Sequence, residues 1–515
     1  MKVLICASEG APFAKSGGLA DVVGALPKAL KENGCDARVI MPYYKKIKDK
    51  ALAYYKGYAY VRIGERMEYV GVFHAIYEGV DYYFIDNDKY FYRDNLYSYG
   101  DDGERFAFFD FAVLEAMKVI DFFPDILHCN DWQTGLIPYI KKTNYYQYYE
   151  YNKMKTVYSI HNIQYQGIYP MDMMKILYMP YSPSLEFDGC INFMKTAIME
   201  SDAVTTVSPN YKNEVLTDQY GYNLNNILGL RFFDFYGIIN GIDVSKYNPE
   251  TDKYIYKNYN IKTVKNGKKE NKVKLLNEFG LDSSKDVPVF GLVSRLVEQK
   301  GIELLMGAID EVINYSNAKF VLMGSGDKKY EDFFREMENK YPTRFKSYIG
   351  YSDPVAQKIY AGCDIFLMPS LFEPCGLGQM IAMRYGTLPL VRETGGLKDT
   401  VEPYNRYDCS GTGFTFTNFN SFFSPTSGII ISGTILYPFS SWTSIAASIT
   451  ALVCISAISG YVTARRQPLC PIIGLNSWSA SHVAFISSTE IFISSASALI
   501  SSSAVGRNSW SGGSR

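Results

Sequence analysis

Apolar runs rich in β-branched residues recur along the first 400 positions, each followed by a stretch long enough for a helix. Val3–Ala7, Ala37–Met41, Ile126–Cys129, Thr156–Ile160 and Ala203–Val207 read as strands covered on both faces, as in a parallel sheet. Between them lie segments such as Glu104–Val119, expected as an amphipathic helix. A Lys- and Asn-rich interval, Lys253–Lys274, interrupts the pattern, which restarts at Val287–Val293, Phe320–Met323, Ile365–Pro369 and Thr387–Val391. Alternation of this kind, met twice, predicts an α/β chain of two doubly wound domains, residues 1–245 and 246–420, hinged near Asn240-Gly241-Ile242-Asp243. A ligand is then expected in a cleft, at the carboxyl ends of the strands of both domains.

Composition changes abruptly after residue 420. Residues 421–515 contain 24 Ser, no Lys and no Asp, and only five charged residues: Arg465, Arg466, Glu490, Arg507 and Arg515. They form a third segment, a low-charge Ser-rich tail expected to be out-of-frame or rearranged coding sequence. The first 420 residues carry 48 of the 52 Lys+Arg and 52 of the 53 Asp+Glu, a net charge of −4. That balance excludes the basic excess typical of nucleic-acid binding, while leaving room for a local cluster that takes phosphate. Nine Cys without a CxxC pair, and no cleavable apolar leader after Met1-Lys2, point to a reduced, cytoplasmic chain with no membrane association. Four His spread over the chain give no metal-ligand spacing, so neither metal nor cofactor is expected.

Four stretches carry chemistry. Lys15-Ser16-Gly17-Gly18-Leu19 stands between a strand and an apolar 3.6-period (Leu19, Val22, Val23, Leu26, Leu30), where backbone N–H groups and a helix N-terminus can meet an anion. A simple tight turn is the competing reading. Pro27 lies inside that helix, and Gly34 is a suitable stop. Arg295 ends a strand and Lys300 opens the next helix; a guanidinium fork beside an ammonium suits a diphosphate. In Pro369–Gly378, Glu373 lies in the loop after a strand, beside the N–H groups of Cys375, Gly376 and Leu377, a combination able to hold sugar hydroxyls. His128-Cys129-Asn130-Asp131 and Ser159-Ile160-His161-Asn162 each follow a strand and are expected to bring polar groups to the cleft mouth. Thr394-Gly395-Gly396-Leu397 partly echoes the first turn. A leaving diphosphate met by Lys15, Arg295 and Lys300 needs no metal for electrostatic stabilisation.

Together these stretches resemble the bacterial glycogen synthase and plant starch synthase family. The resemblance rests on Lys15-Ser-Gly-Gly-Leu-Ala-Asp-Val, His128-Cys-Asn-Asp-Trp, His161-Asn-Ile-Gln-Tyr-Gln-Gly, Thr206-Val-Ser-Pro, Asn240-Gly-Ile-Asp, Ser294-Arg-Leu-Val-Glu-Gln-Lys-Gly, Phe372-Glu-Pro-Cys-Gly-Leu and Thr394-Gly-Gly-Leu, in family order over residues 1 to about 419. It implies a GT-B fold and retaining transfer of glucose from ADP-glucose to the 4-hydroxyl at the non-reducing end of an α-1,4-glucan such as glycogen. Carried over position by position, Lys15, Arg295 and Lys300 hold the diphosphate, while Gly18, with Gly17 beside it, and the Thr394-Gly395-Gly396 turn add backbone donors. Glu373 with Cys375, Gly376 and Leu377 holds the glucose, and His161 sits by the reacting sugar. Asp131 and Asn240 line the cleft, Tyr351 packs on the adenine and Asp21 faces the acceptor. Two departures stand out. Ile381 occupies the place where related retaining transferases often carry a second Glu, and the Ser-rich tail replaces the family's C-terminal helices. An inactive glucan-binding protein and a transferase for another nucleotide sugar are the alternatives this leaves.

Overall fold

The computed structural model describes residues 1–405 and 407–419 in full, and beyond them the backbone of three short strands, Ser421–Ser424, Gly428–Ile431 and Thr434–Leu436. Most of the Ser-rich tail therefore lies outside the described residues. The chain divides into two units, Met1–Gly241 and a second beginning at Ile242.

The first unit contains strands β1 (Lys2–Cys6), β2 (Asp36–Pro42), β3 (Tyr54–Ile63), β4 (Arg66–Tyr77), β5 (Val80–Asp86), β6 (Ile126–Asn130), β7 (Lys155–Ile160), β8 (Ile168–Pro170), β9 (Glu186–Phe187), β10 (Cys190–Asn192), β11 (Ala203–Thr206) and β12 (Phe235–Gly237). Nine of them form one sheet in the order β12-β11-β7-β6-β1-β2-β5-β4-β3. The strands from β12 to β5 run parallel, and β3 and β4 extend the sheet as an antiparallel meander. The apolar runs do bury both faces: Val3, Leu4, Ile5 and Cys6 are all fully buried. Gly18–Glu32 is helical straight through Pro27 and stops at Gly34, whose φ of 81° suits a residue without a Cβ.

The helix at Asp102–Val119 departs from the amphipathic expectation. Fourteen of its 18 residues are buried, because the helix is covered all round, by the sheet on one side and by neighbouring helices and turns on others.

The second unit holds β13 (Val289–Leu296), β14 (Lys319–Gly326), β15 (Phe345–Ile349), β16 (Ile365–Met368), β17 (Leu388–Arg392) and β18 (Phe414–Phe416) in a wholly parallel sheet ordered β15-β14-β13-β16-β17-β18. Apolar clusters cover both faces, one around Leu292, Ile309 and Phe334, the other around Leu275, Ile359 and Phe366. The interval Lys253–Lys274 is not merely an interruption, since a helix at Val264–Glu278 occupies much of it and seats Leu275 and Leu276 in the second cluster. Ile381 is buried in that same cluster, which accounts for an apolar residue at this position. Cys6, Cys35, Cys129, Cys190 and Cys363 are free thiols, but Cys409 is disulfide-bonded. The expectation of an all-reduced set fails there, at a half-buried residue in a turn rather than in a strand. Among the described residues no helix is long and apolar enough to cross a membrane.

Candidate active site

In the first unit, β1 has β2 on one side and β6 on the other, so the direction of winding reverses between β1 and β6. Such a switch point leaves a crevice beyond the strands' carboxyl ends. Lys15, Gly17 and Gly18 follow β1, Asp131 follows β6, and His161 follows the next strand, β7.

Lys15 Nζ pairs with Asp21 Oδ1 at 2.8 Å. The turn behind it is organised by Glu9, a residue that carried no signal in the sequence. Its carboxylate accepts the N–H groups of Ser16 and Gly17 (3.3 Å for the latter) and the Ser16 hydroxyl at 3.0 Å. Gly17, with an extended backbone, caps the helix that starts at Gly18.

Beyond β6, Asn130 Nδ2 donates to Cys6 O at 3.1 Å and His128 O at 3.2 Å, so its Oδ1 faces His161 Nε2 at 2.9 Å. Burial pushes the His161 ring down to about 3, so it is neutral, with its proton on Nε2 for Asn130. Asp131 sits at φ 56°, ψ −179°, a region close to glycine-only that costs about 1–3 kcal/mol and is typical of functional turns. Its Oδ1 accepts the N–H of His161 at 2.8 Å and of Asn162 at 3.4 Å, tying the ends of β6 and β7 together. Desolvation still pushes this carboxyl up to about 7. His128 was expected at the cleft mouth. It lies instead within β6, 3% exposed, with Nε2 on Ser159 Oγ at 2.7 Å, because a residue inside a strand is enclosed by its neighbouring strands. Asn240 follows β12, the edge strand, with β11 between it and β7.

The second unit repeats the arrangement, with the switch between β13 and β16. Arg295 is exposed near the end of β13, and Lys300 closes the short 3-10 turn after it. Lys300 Nζ meets Glu373 Oε2, from the loop after β16, at 2.7 Å. Ser370, almost wholly buried and not singled out in the sequence, donates to the same oxygen at 3.0 Å. Leu371 N–H bonds Gln299 O at 2.9 Å, and a Cβ on Gly301 would stand 2.0 Å from Pro369 O, so the Lys300 and Glu373 loops are pressed backbone to backbone.

The Thr394-Gly395-Gly396 turn does not offer its Gly396 N–H to a ligand. That group donates to Glu373 O and Pro374 O, each at 3.1 Å. A Cβ on Gly395 would lie 1.9 Å from Glu373 O, and one on Gly396 2.3 Å from Cys375 O. The glycines therefore admit the backbone of the Glu373 loop. Gln379 Nε2 holds the same loop through Cys375 O at 3.0 Å and Gly376 O at 2.9 Å. Gly376 takes φ 73°, and Leu377 leads into the helix Gly378–Arg384. Tyr351 follows the edge strand β15 with its ring exposed, its hydroxyl on Asp353 at 2.6 Å.

Residues 2–229 match the family described as starch synthase catalytic domain, and residues 274–421 match glycosyl transferases group 1. Glycogen synthase of Acholeplasma laidlawii is 48% identical over 426 residues, 82% of this chain and 89% of that protein. Glycogen synthase of Clostridium kluyveri is 48% identical over 427 residues, 82% of this chain and 90% of its own length. Among solved structures, the catalytic domain of starch synthase IV from Arabidopsis thaliana, bound to ADP and acarbose, is similar at a TM-score of 0.74 and 33% identity, over 81% of this chain and 88% of that one.

Proposed function

The chain belongs to the glycogen and starch synthase family of GT-B glycosyltransferases, and on that footing we propose that it transfers glucose from ADP-glucose to the non-reducing 4-hydroxyl of an α-1,4-glucan, with retention at the anomeric carbon. The observation that carries this reading is the Lys300–Glu373 pair beside the exposed Arg295 at the β13/β16 switch point. It puts one cation against a carboxylate, with a second cation at the end of the strand that leads to it, as a nucleotide sugar requires: charge for the diphosphate and an acceptor for sugar hydroxyls.

Lys300, Arg295 and Lys15 take the donor's diphosphate, and the Gly18 amide adds a backbone donor. Glu373 and the amides of Cys375, Gly376 and Leu377 hold the glucose. Tyr351 packs on the adenine, and Asp131, Asn240 and His161 line the acceptor side with Asp21. In the transfer the bond from C1 to the diphosphate oxygen breaks, and a bond from C1 to the acceptor O4 forms on the same face. The acceptor's proton leaves with the departing phosphate oxygen, whose charge the three cations stabilise. His161, neutral and with Nε2–H engaged by Asn130, contributes as a hydrogen-bonding group rather than a charged acid. The reaction is placed in the cytoplasm.

Incubation with ADP-glucose and glycogen tests this reading: ADP release that depends on glycogen, with elongation of its chains, is the expected result. Faster turnover with UDP-glucose would move the donor assignment, and donor consumption without chain growth would sink the transfer.

A further inference from the structure

Glu9 is the least expected group beside the diphosphate turn. It is a carboxylate 4% exposed, three residues past β1, in a place proposed to receive an anion. Burying a carboxylate costs several kcal/mol unless its lone pairs are used. Here they are used on the turn itself: the Ser16 and Gly17 N–H groups on Oε2 and the Ser16 hydroxyl on Oε1. Burial pushes its carboxyl up from the ordinary range, and these bonds, with the Tyr97 hydroxyl, pull it back. The other charged or titratable groups that feel it are Asp131 beyond β6, Lys46 after β2, and the buried Tyr44.

One consequence concerns which amides remain. Ser16 and Gly17 are committed to Glu9, so neither is available to phosphate. The next N–H is that of Gly18, an exposed residue at the first position of a 15-residue helix, and it has no protein acceptor among the described residues. It carries the positive end of the helix dipole. With two consecutive amides clamped to one carboxylate, the direction of the third is fixed, and so is the root of the Lys15 side chain.

We infer that Glu9 is a positioning residue for donor recognition: it holds the Ser16–Gly17 corner so that Gly18 N–H and Lys15 present a preformed site to the ADP-glucose diphosphate. The inference rests on the proposed contact between that turn and the diphosphate. Glu9 itself touches no substrate. Replacing its charge should cost donor affinity and leave acceptor affinity alone.

The test is steady-state kinetics on Glu9→Gln, Lys15→Ala and the double variant, with a thermal melt of each. Glu9→Gln keeps the size but turns an NH2 toward the amides. The expected result is a KM for ADP-glucose raised about tenfold, the size of a lost charge-assisted contact, with an unchanged KM for glycogen and an unchanged Tm. In the double variant the two donor effects should fall well short of additive, because Glu9 acts through the turn that carries Lys15. A donor KM unaltered in folded Glu9→Gln, or equal rises in both KM values, overturns the inference. If Lys15→Ala leaves the donor KM unchanged, the diphosphate reading of the turn fails instead. Should Glu9→Gln not fold, Ser16→Ala, which removes only the hydroxyl on Oε1, should raise the donor KM about two- to fivefold and no other parameter; no rise overturns the inference equally.

Discussion

Lys300 Nζ donates to Glu373 at 2.7 Å, and an ammonium has three N–H groups, so the proposed phosphate contact can be made alongside that pair. Lys300→Ala should therefore lower kcat/KM by about two to three orders of magnitude, and Arg295→Ala by a similar amount. Near-wild-type turnover in a folded variant would remove both from the proposed machinery. His128 supports a different prediction, on stability. Burial holds its pKa at about 4 in the folded chain against 6.5 when unfolded. The folded-state pKa is depressed, so its contribution is complete above pH 6.5 and is lost as pH falls toward 4. The full loss is on the order of 3 kcal/mol. Asp131, raised to about 7, acts with the opposite sign, losing its contribution as pH rises from about 4 to 7. Comparing His128→Asn with wild type cancels that term. Melts between pH 7 and 5 should show the variant losing distinctly less Tm than wild type; parallel curves would mean His128 is not held neutral. Glu9 and Ser370 show why such residues escaped the sequence. Each is a single polar side chain whose role depends on which backbone or carboxylate it meets after folding.

Among the elements, strands covered on both faces were readable because their apolar runs are uninterrupted, as in β1, β6 and β13. The β3–β4–β5 meander was not, because β3 and β4 carry tyrosines on their exposed face, among them Tyr54, Tyr58, Tyr60 and Tyr69, which blur the apolar–polar alternation. Its turns did leave a trace in Gly64 at φ 60° and Glu78-Gly79 at 48° and 78°, the positive angles that tight hairpins need. The glycine turn at 394–396 is legible in the sequence but its purpose is not, since a motif does not reveal where its N–H groups go. The structure makes that purpose testable. Gly395→Ala would place a Cβ 1.9 Å from Glu373 O at φ 44°, whereas Gly34, at φ 81°, has nothing within 4 Å of its added Cβ. Gly34→Ala should cost only the backbone strain, about 1 kcal/mol. Gly395→Ala should displace the Glu373 loop, lowering Tm by clearly more and kcat/KM by about a hundredfold or beyond. Equal losses in the two variants would mean that the loop yields to the extra methyl.

At the scale of the whole molecule, the two switch points were within reach of the sequence because the order of strands and loops carries the motifs with it. The course of the chain past β18 was not. The match to the glycosyl transferases group 1 family stops at residue 421, beside the composition change, while Acholeplasma laidlawii glycogen synthase is matched over 89% of its length. The remainder of that relative has no counterpart in the match. β18 is the last strand of the second sheet and pairs with β17, whose end leads directly into the 394–396 turn packed on the Glu373 loop. Support lost from β18 would reach the site through that one neighbour. A chimera that replaces residues 421–515 with the C-terminal segment of the Acholeplasma laidlawii protein should melt higher than the chain as it stands. Its kcat/KM for glucose transfer should be about tenfold higher or more, the equivalent of about 1.4 kcal/mol at the transition state. The comparison is decisive in either direction, because residues 1–420 are identical in the two proteins. Equal Tm and equal kcat/KM would show that the Ser-rich segment supports β18 as well as the relative's own ending does.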